Sequence, residues 1–550
     1  MAISTKERVA EEARPEPAPE PRGPGDLTAA NILLPVEDFL SGDVLLLGSV
    51  APGIRGRAAE LAATLTVRGR MPCEGEPPDA SCSYDTIMAF DVLPAVEAPG
   101  RHSSVRQNLR PEGRLILALD HGSAEQRGAG AAQGASWHPG RRASPWTRLR
   151  ETLEAAGLAH QRWWFPFPDH REARTILSEH GLSPHSGLDA GAMAGEAIDA
   201  RRAWRRIAEA GDLADRAPAA LVVASAVALP ADDRLAVHIG HERRPEFNKV
   251  ATIRARTEGP PRVLRVPRHP GLARHAAGIT NRFPAETLAP GRPWPEALEE
   301  MLAHDGWTEA DLAPWAERWI TALRAAFLGA GEGDPMPDID TRLPGHAFDA
   351  IPRNLLVHGD RATFIDLEWE LDAPLDFGHL LVRGLVDTVL TTPFAGWPAP
   401  GSDPTYLTLL RAATAPLGIP LSDAAIAERL DREARFQRIV SGRETSRDFA
   451  WLAATHPVPR AQLLMRGRGL AGEVRALRTE RSDLIAAIDD ARAQTDRVIA
   501  YAAERDRAVE RLEAELAAIE ARLALPLPEP PRPAIRLGRA FRHLVSSKRT

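Results

Sequence analysis

Cysteine is almost missing from this chain: Cys73 and Cys82 are the only two in 550 residues, and no CxxC occurs. That excludes a disulfide framework and a structural zinc site. Lysine is nearly as scarce. Lys and Arg together number 68, yet only Lys6, Lys249 and Lys548 are lysines, and two of them lie in the terminal tails. No apolar run reaches the roughly 18 residues of a membrane span. The opening stretch MAISTKERVAEEARPEPAPEPRGPG has no signal-peptide core. A formal charge of −7, from 68 basic and 75 acidic residues, gives no overall attraction to nucleic acid. These absences point to a cytoplasmic protein.

What is present is an apolar content of 44%, enough for globular folding, in a chain too long for one core. Residues 1–30 are rich in Pro, Glu and Ala, a composition that cannot offset chain entropy, and are expected to be disordered. From DVLLLGSVAPG (43–53) through YDTIMAFDVLPAV (84–96), LRPEGRLILAL (109–119), WTRLRETLEAAGL (146–158) and AALVVASAVAL (219–229), apolar strands alternate with helical segments. That alternation predicts a first domain over 31–229, a parallel sheet covered by helices. Residues 120–145, heavy in Gly, Ala and Ser, read as a loop. A second domain, 235–460, opens with the short strand patterns RLAVHIG, KVATIRART and RVLRVPR and turns helical after Trp294.

From 470 to 525 the apolar positions alternate by three and four: Val474, Leu477, Leu484, Ile488 and on through Val498, Val509, Leu512, Leu516, Ile519 and Leu523, with Arg481, Thr495 and Arg505 polar on the seam. This heptad pattern predicts a coiled coil and a homo-oligomer, a rod about 80 Å long. A long surface helix packed on one domain is the alternative. The final segment, 526–550, places Leu537, Phe541, Leu544 and Val545 on one face beside four arginines. Such a basic amphipathic helix suits an anionic membrane surface or a protein partner, and a solubilising tail fits equally.

The stretch HAFDAIPRNLLVHGDRATFIDLEWE carries candidate chemistry. Phosphoryl transfer needs an aspartate to orient the attacking hydroxyl and two oxygen ligands to hold magnesium against the phosphates. In kinase-type sites the base and the first ligand are spaced Asp-x-x-x-x-Asn. Counting from Asp349 reaches Asn354; NLLV then reads as a strand, HGDRA as a turn and TFID as the return strand ending at Asp366. Both metal ligands would sit at the open end of one hairpin. Counting from Asp360 reaches Ile365, and Asp360 itself falls in the turn, as an Asp beside a Gly commonly does.

These residues resemble the catalytic core of the aminoglycoside phosphotransferase and choline kinase branch of the protein kinase-like fold, where Asp-x-x-Pro-x-Asn is followed by Ile-Asp-x-Glu. The resemblance implies ATP and Mg²⁺ as cofactors, with Asp349 as base and Asn354 and Asp366 as metal ligands. It also implies that Asp376, in APLDFGHLL, braces the catalytic loop, and that ETLAPGRPWPEALEEML is the hinge, with Glu286 at the nucleotide site. Two features depart from that family. GHERRPEFNK stands where a glycine-rich loop is expected, and Arg265 replaces the phosphate-gripping lysine. An arginine fork is not equivalent to a compact ammonium. Either Lys249, the sole interior lysine, supplies that ammonium or it shares the task with Arg265.

DVLLLGSVAPG…YDTIMAFDVLPAV…LRPEGRLILAL resembles a class I methyltransferase dependent on S-adenosylmethionine, and AGLAHQRWWFPFPDHREARTILSE is similar to methyltransferase segments attached to polysaccharide-modifying enzymes. The resemblance implies Gly48 and Gly53 in the turn beneath the donor and Asp91 facing it. LTVRGR ends in arginines where the ribose-holding acid belongs. The expected fold class is therefore multidomain α/β plus α+β: a Rossmann-like methyltransferase fold, a two-lobed kinase-like fold and a C-terminal coiled coil.

That domain order resembles bifunctional methyltransferase/kinase proteins that cap bacterial O-polysaccharide chains. It implies an enzyme phosphorylating a hydroxyl at a glycan terminus, with the tail contacting a glycosyltransferase or the inner membrane face. A non-catalytic glycan or polymerase scaffold with a coiled-coil spacer is the alternative from another class.

Overall fold

The computed structural model describes residues 30–48, 50–68, 83–91, 105–106, 108–120, 144–190, 193, 198–240, 243–331, 333–373, 375–392, 395–402, 404–444, 447–457, 495, 498 and 501–517. The expectations for the amino-terminal tail, the 120–145 loop, most of 470–525 and the final segment lie outside those residues. The chain forms two units, Met1–Leu463 and Leu464–Thr550.

The first unit is built on one mixed sheet of eleven strands. Its first part comprises β1 (Asp43–Leu47), β2 (Thr64–Arg68), β3 (Tyr84–Phe90), β4 (Leu109–Asp120), β5 (His160–Phe167), β6 (Thr175–Ser178) and β7 (Ala219–Ser225). β2, β1, β3 and β4 pair in parallel in that order, and β7 then inserts antiparallel between β4 and β5. Alternate residues feed opposite faces: Leu45 and Leu47 join one core, Val44 and Leu46 the other. A sheet buried on both faces explains why these strands read as unbroken apolar runs rather than as alternation. The result is a doubly wound, Rossmann-like arrangement whose order reverses at β1, between β2 and β3. Ligands of such sheets collect outside the carboxyl ends at that reversal.

Composition divides the chain between 229 and 235, yet strand pairing runs across that point. β8 (Arg234–Ile239) pairs antiparallel with β6, matching Leu177 to Ala236, and β9 (Lys249–Arg254), β10 (Arg262–Pro267) and later β13 (Glu286–Thr287) continue the sheet outward. Leu235 and Ile253 enter one core of the first part; Val237 and Val250 enter the other.

Beyond β10 come β11 (His275–Ala276), β12 (Ile279–Asn281), β13 (Glu286–Thr287), β14 (Arg292–Pro293), β15 (Arg342–Leu343), β16 (Leu355–His358), β17 (Arg361–Phe364), β18 (Trp369–Leu371) and β19 (Leu375–Asp376). A third core gathers the helices Leu312–Phe327, Phe377–Thr391 and Asp423–Ser441 around Trp319, Phe348, Phe377 and Leu380. Gly384 lets the second of these helices approach the first, because a Cβ there would lie 2.5 Å from the Trp319 ring. The helix Ile198–Glu209 of the first part is tied to Pro295–Leu302 by Arg205–Glu296 at 2.7 Å and Arg201–Glu299 at 2.9 Å.

In the second unit, 501–517 is helical. Val509, Leu512 and Leu516 are 49–64% exposed along it. Among the described residues no helix is long and apolar enough to cross a membrane.

Candidate functional site

Strands β16 and β17 pair Leu355 with Phe364 and His358 with Arg361, which leaves Gly359 and Asp360 as a two-residue turn. Gly359 takes φ 58°, the left-handed backbone that such turns require. At the other end the Ile365 amide donates to the Asn354 carbonyl at 2.8 Å. Asn354 and Asp366 therefore flank the open end, as their spacing predicts. Asp360 is exposed in the turn, away from them.

Asp349 closes the short 3-10 turn Gly345–Asp349 and is 2% exposed. The Asn354 side-chain amide donates to the Asp349 carbonyl at 2.9 Å, tying together the two ends of the five-residue spacing. Trp319 Nε1 donates to the Ala350 carbonyl at 2.9 Å, so the helix Leu312–Phe327 holds the same loop. Arg383 Nη2 lies 3.3 Å from Asp349 Oδ1, and Arg383 Nε donates to the Phe348 carbonyl. Burial pushes the Asp349 carboxyl up to about 6, with Arg383 pulling the other way.

Asp366 is the hub of a charged cluster. Lys249 Nζ donates to its two oxygens at 2.7 and 2.8 Å, and Arg265 Nε lies at 2.8 Å. The Asp366 amide donates to Glu286 at 3.1 Å, and Glu286 also accepts from Arg265 at 2.9 Å. Lys249 reaches Glu368 at 2.9 Å, whose other oxygen pairs with Arg243 at 2.5 Å. Three cations thus face three carboxylates. Glu368 is 1% exposed. Its burial works to raise the carboxyl, but Lys249 and Arg243 outweigh it and hold it at about 2. The Asp366 backbone has φ 54°, a strained left-handed conformation for a residue with a side chain. Such strain costs about 1–3 kcal/mol and persists where the surroundings fix it from several sides, commonly at functional sites.

The sequence left Lys249 and Arg265 as alternatives; both grip Asp366. Glu368, Arg243 and Arg383 were missed. Glu368 was visible as the acid of Ile-Asp-x-Glu, while Arg243 lay in the segment where a glycine-rich loop was expected. That segment is a strap: Phe247 is fully buried in the helical core, edge-on to Trp369 at 5.3 Å, and the Arg244 amide donates to the Val440 carbonyl at 2.8 Å. Asp376 lies just before the helix that packs behind the 349 loop. It caps the helix Phe377–Thr391 by accepting from the His379 amide at 2.8 Å and pairs with Arg429 and Arg432. Arg383, on that same helix, contacts the 349 loop directly through Asp349 and the Phe348 carbonyl.

A second cluster lies at the carboxyl ends of the first sheet. Gly48 follows β1 with φ 91° and donates to the Arg68 carbonyl at 3.0 Å. Gly53 does not share that turn; it is buried in the first turn of the helix Pro52–Leu61. Asp91 follows β3 with φ 55°. Arg171 bridges Asp91 at 2.5 Å and Asp120, the last residue of β4, at 2.6 Å. His170 lies beneath, 2% exposed, with Nδ1 2.6 Å from Asp120 and Nε2 3.4 Å from Asp91. Its burial opposes a charge, but the two aspartates hold its pKa up at about 9. Ligand atoms of Asp91, Asp120 and His170 lie within 4.8 Å of one another, a spacing that could hold a metal. The chain's own two cations already balance the two carboxylates. PheProAsp was noticed in the sequence; the His and Arg immediately after it were not.

No family model matches this chain, and no curated protein matches it. Among solved structures, it is similar to one from Galdieria sulphuraria, described provisionally as a sarcosine dimethylglycine methyltransferase. Identity is 15%, coverage is 36% of this chain and 85% of that chain, and the TM-score is 0.15. A likeness at that level carries no argument, so the site stands on its own geometry.

Proposed function

We propose that the chain moves the γ-phosphate of ATP to a sugar hydroxyl, at a centre running from Lys249 to Asp366. What supports this reading is one observation: Lys249, Arg265 and Glu286 converge on a left-handed Asp366 at the open end of the hairpin that also carries Asn354, one turn from buried Asp349. The donors fit a magnesium ion, since Asn354 and Asp366 offer the hard oxygen ligands that it prefers. When bound there, magnesium would neutralise phosphate charge.

In this reading Asp349 accepts the proton of the acceptor hydroxyl. The hydroxyl oxygen bonds to the γ-phosphorus as the bond to the β–γ bridging oxygen breaks, and ADP leaves. Arg383 positions Asp349, and Lys249 and Arg265 turn from Asp366 toward the nucleotide phosphates. A carboxyl raised to about 6 is ionised near neutral pH and remains a competent base.

We further propose that the first part is a methyltransferase-like domain whose donor is S-adenosylmethionine. The doubly wound order and the left-handed Gly48 and Asp91 beside the reversal at β1 support it. Arg68 ends β2 where a ribose-binding acid is usual, and residues 69–82 lie outside those described. A glycan terminus as acceptor, self-association through the helix at 501–517 and attachment of the tail to a polymerase or the inner membrane face complete the reading.

The test is ADP release by the purified full chain with ATP, Mg²⁺ and sugar acceptors. Activity lost in Asp366→Asn and Asp349→Asn but kept in Asp360→Asn supports the assignment. No nucleotide binding in any variant leaves the scaffold reading in its place.

A further inference from the structure

A cavity of about 610 Å³ lies beside the proposed centre, between the end of β10, the loop that follows it and the β11–β12 hairpin. Ten residues line it and none is acidic, whereas Arg265, Arg274, His275 and Arg282 all do. Three of these basic side chains are already compensated from outside the cavity. Arg265 meets Asp366 and Glu286, Arg282 lies 2.6 Å from Glu370, and His275 lies 3.7 Å from Asp372.

Arg274 differs. It pairs with no carboxylate among the described residues. Its Nη1 donates to the Asn281 carbonyl at 3.2 Å, and its guanidinium stacks over the Phe283 ring at 4.9 Å. Two contacts fix the group without neutralising it, which leaves a rigid fork facing the cavity. Such a fork matches the oxygens of a phosphate. Asn281 contributes the second feature: it is 1% exposed and lines the cavity, its Nδ2 donates to Glu368 at 3.5 Å, and its Oδ1 has no hydrogen-bond partner among the described residues. A buried acceptor left unpaired is costly, and a turn of the Asn281 side chain toward the cavity would let a ligand hydroxyl satisfy it.

We infer that this cavity binds the acceptor, and that the acceptor is a sugar bearing a phosphate: Arg274 takes the phosphate and Asn281 a hydroxyl. The inference rests on the phosphotransferase reading for the word acceptor, but the binding site itself does not. Arg265 connects the two, since it both lines the cavity and contacts Asp366 at 2.8 Å. The size suits a sugar phosphate, as small-molecule pockets run to roughly 300–1,000 Å³. Apolar wall from Leu272 and Phe283 can pack against a sugar ring.

The nucleotide's own phosphates are the other source of the same chemistry, and calorimetry on the full chain separates them. Glucose 1-phosphate, glucose and Mg·ATP are titrated into wild type, Arg274→Ala and Arg274→Lys. Glucose 1-phosphate should bind wild type better than glucose does. Arg274→Ala should weaken it about ten- to a hundredfold, the loss expected for a charge-assisted hydrogen-bonded pair. Arg274→Lys should weaken it less, and Mg·ATP affinity should stay within about twofold, which also shows that the variant is folded. Unchanged glucose 1-phosphate binding in Arg274→Ala, or no binding by wild type, overturns the inference. An equal loss of Mg·ATP overturns it too, by giving the cavity to the nucleotide. Arg274-dependent binding without any ADP release would sink the phosphotransferase reading alone. ADP release onto neutral sugars that ignores Arg274 would sink the inference alone.

Discussion

Replacing Lys249 with methionine should loosen the junction between the outer strands and the β16–β17 hairpin. Its ammonium serves two carboxylates, Asp366 at 2.7 Å and Glu368 at 2.9 Å, and Glu368 is 1% exposed. Methionine keeps the bulk of the stem but removes the charge. Asp366 retains Arg265, and Glu368 retains Arg243 at 2.5 Å, so neither carboxylate is stripped bare. Removing one partner from a buried ion pair costs about 3–5 kcal/mol, and the surviving arginines put this case near 3. At about 1.4 kcal/mol per tenfold, local opening should become about a hundredfold more frequent. Hydrogen exchange of peptides covering 249–254 and 355–371 reads that opening, because exchange tracks local as well as global unfolding. Adding Glu368→Gln should cost less than the sum of the two single changes, since it restores the charge balance that Lys249→Met upsets while Arg243 gives up its carboxylate. A change below about threefold in Lys249→Met, or simple additivity in the double variant, would mean that the cluster is not the coupled unit described above.

Three further outcomes follow from other residues. Asp349 is raised to about 6, so its base form fills as pH rises through that value; phosphoryl transfer should climb to a plateau above pH 6, and Asp349→Asn should lower it by about 10²–10⁴-fold. His170 is raised to about 9 from 6.5, so its network contributes full stability below pH 6.5 and loses it as pH rises through 9; His170→Gln should flatten the melting temperature across that window. Leu512 is 64% exposed on the helix at 501–517; if that face is the self-association surface, Leu512→Glu should lower the mass in sedimentation without altering the melting of the rest.

The hairpin was legible because its signals are local. A Gly-Asp turn, four-residue strands on either side and the Asp349–Asn354 spacing all fall within about twenty residues, and each fixes a register. Lys249 stood out through composition, as one ammonium in an arginine-rich chain. The partners of these residues were not legible, because tertiary folding chooses them: Arg243 meets Glu368 across 125 positions and Lys249 meets Asp366 across 117. The ionic cluster of Asp91, Asp120 and His170 was hidden for the same reason, since three loops separated by long stretches converge at one end of the sheet. Asp376 is a different case. An aspartate before an apolar helix has a cap to serve, and Asp376 fills that local role with Arg429 and Arg432 as its ion partners. The continuity of the sheet across 229–235 depends on β6 and β8 pairing over more than fifty residues, which composition cannot register.

Calorimetric titration of Mg·ATP into the full chain, alongside Asp366→Ala and Asp360→Ala, bears on whether one hairpin end and the β9 lysine build a nucleotide site. Binding that requires Mg²⁺, disappears in Asp366→Ala and survives in Asp360→Ala is the predicted result. Absence of binding, or binding indifferent to both Mg²⁺ and Asp366, would contradict it.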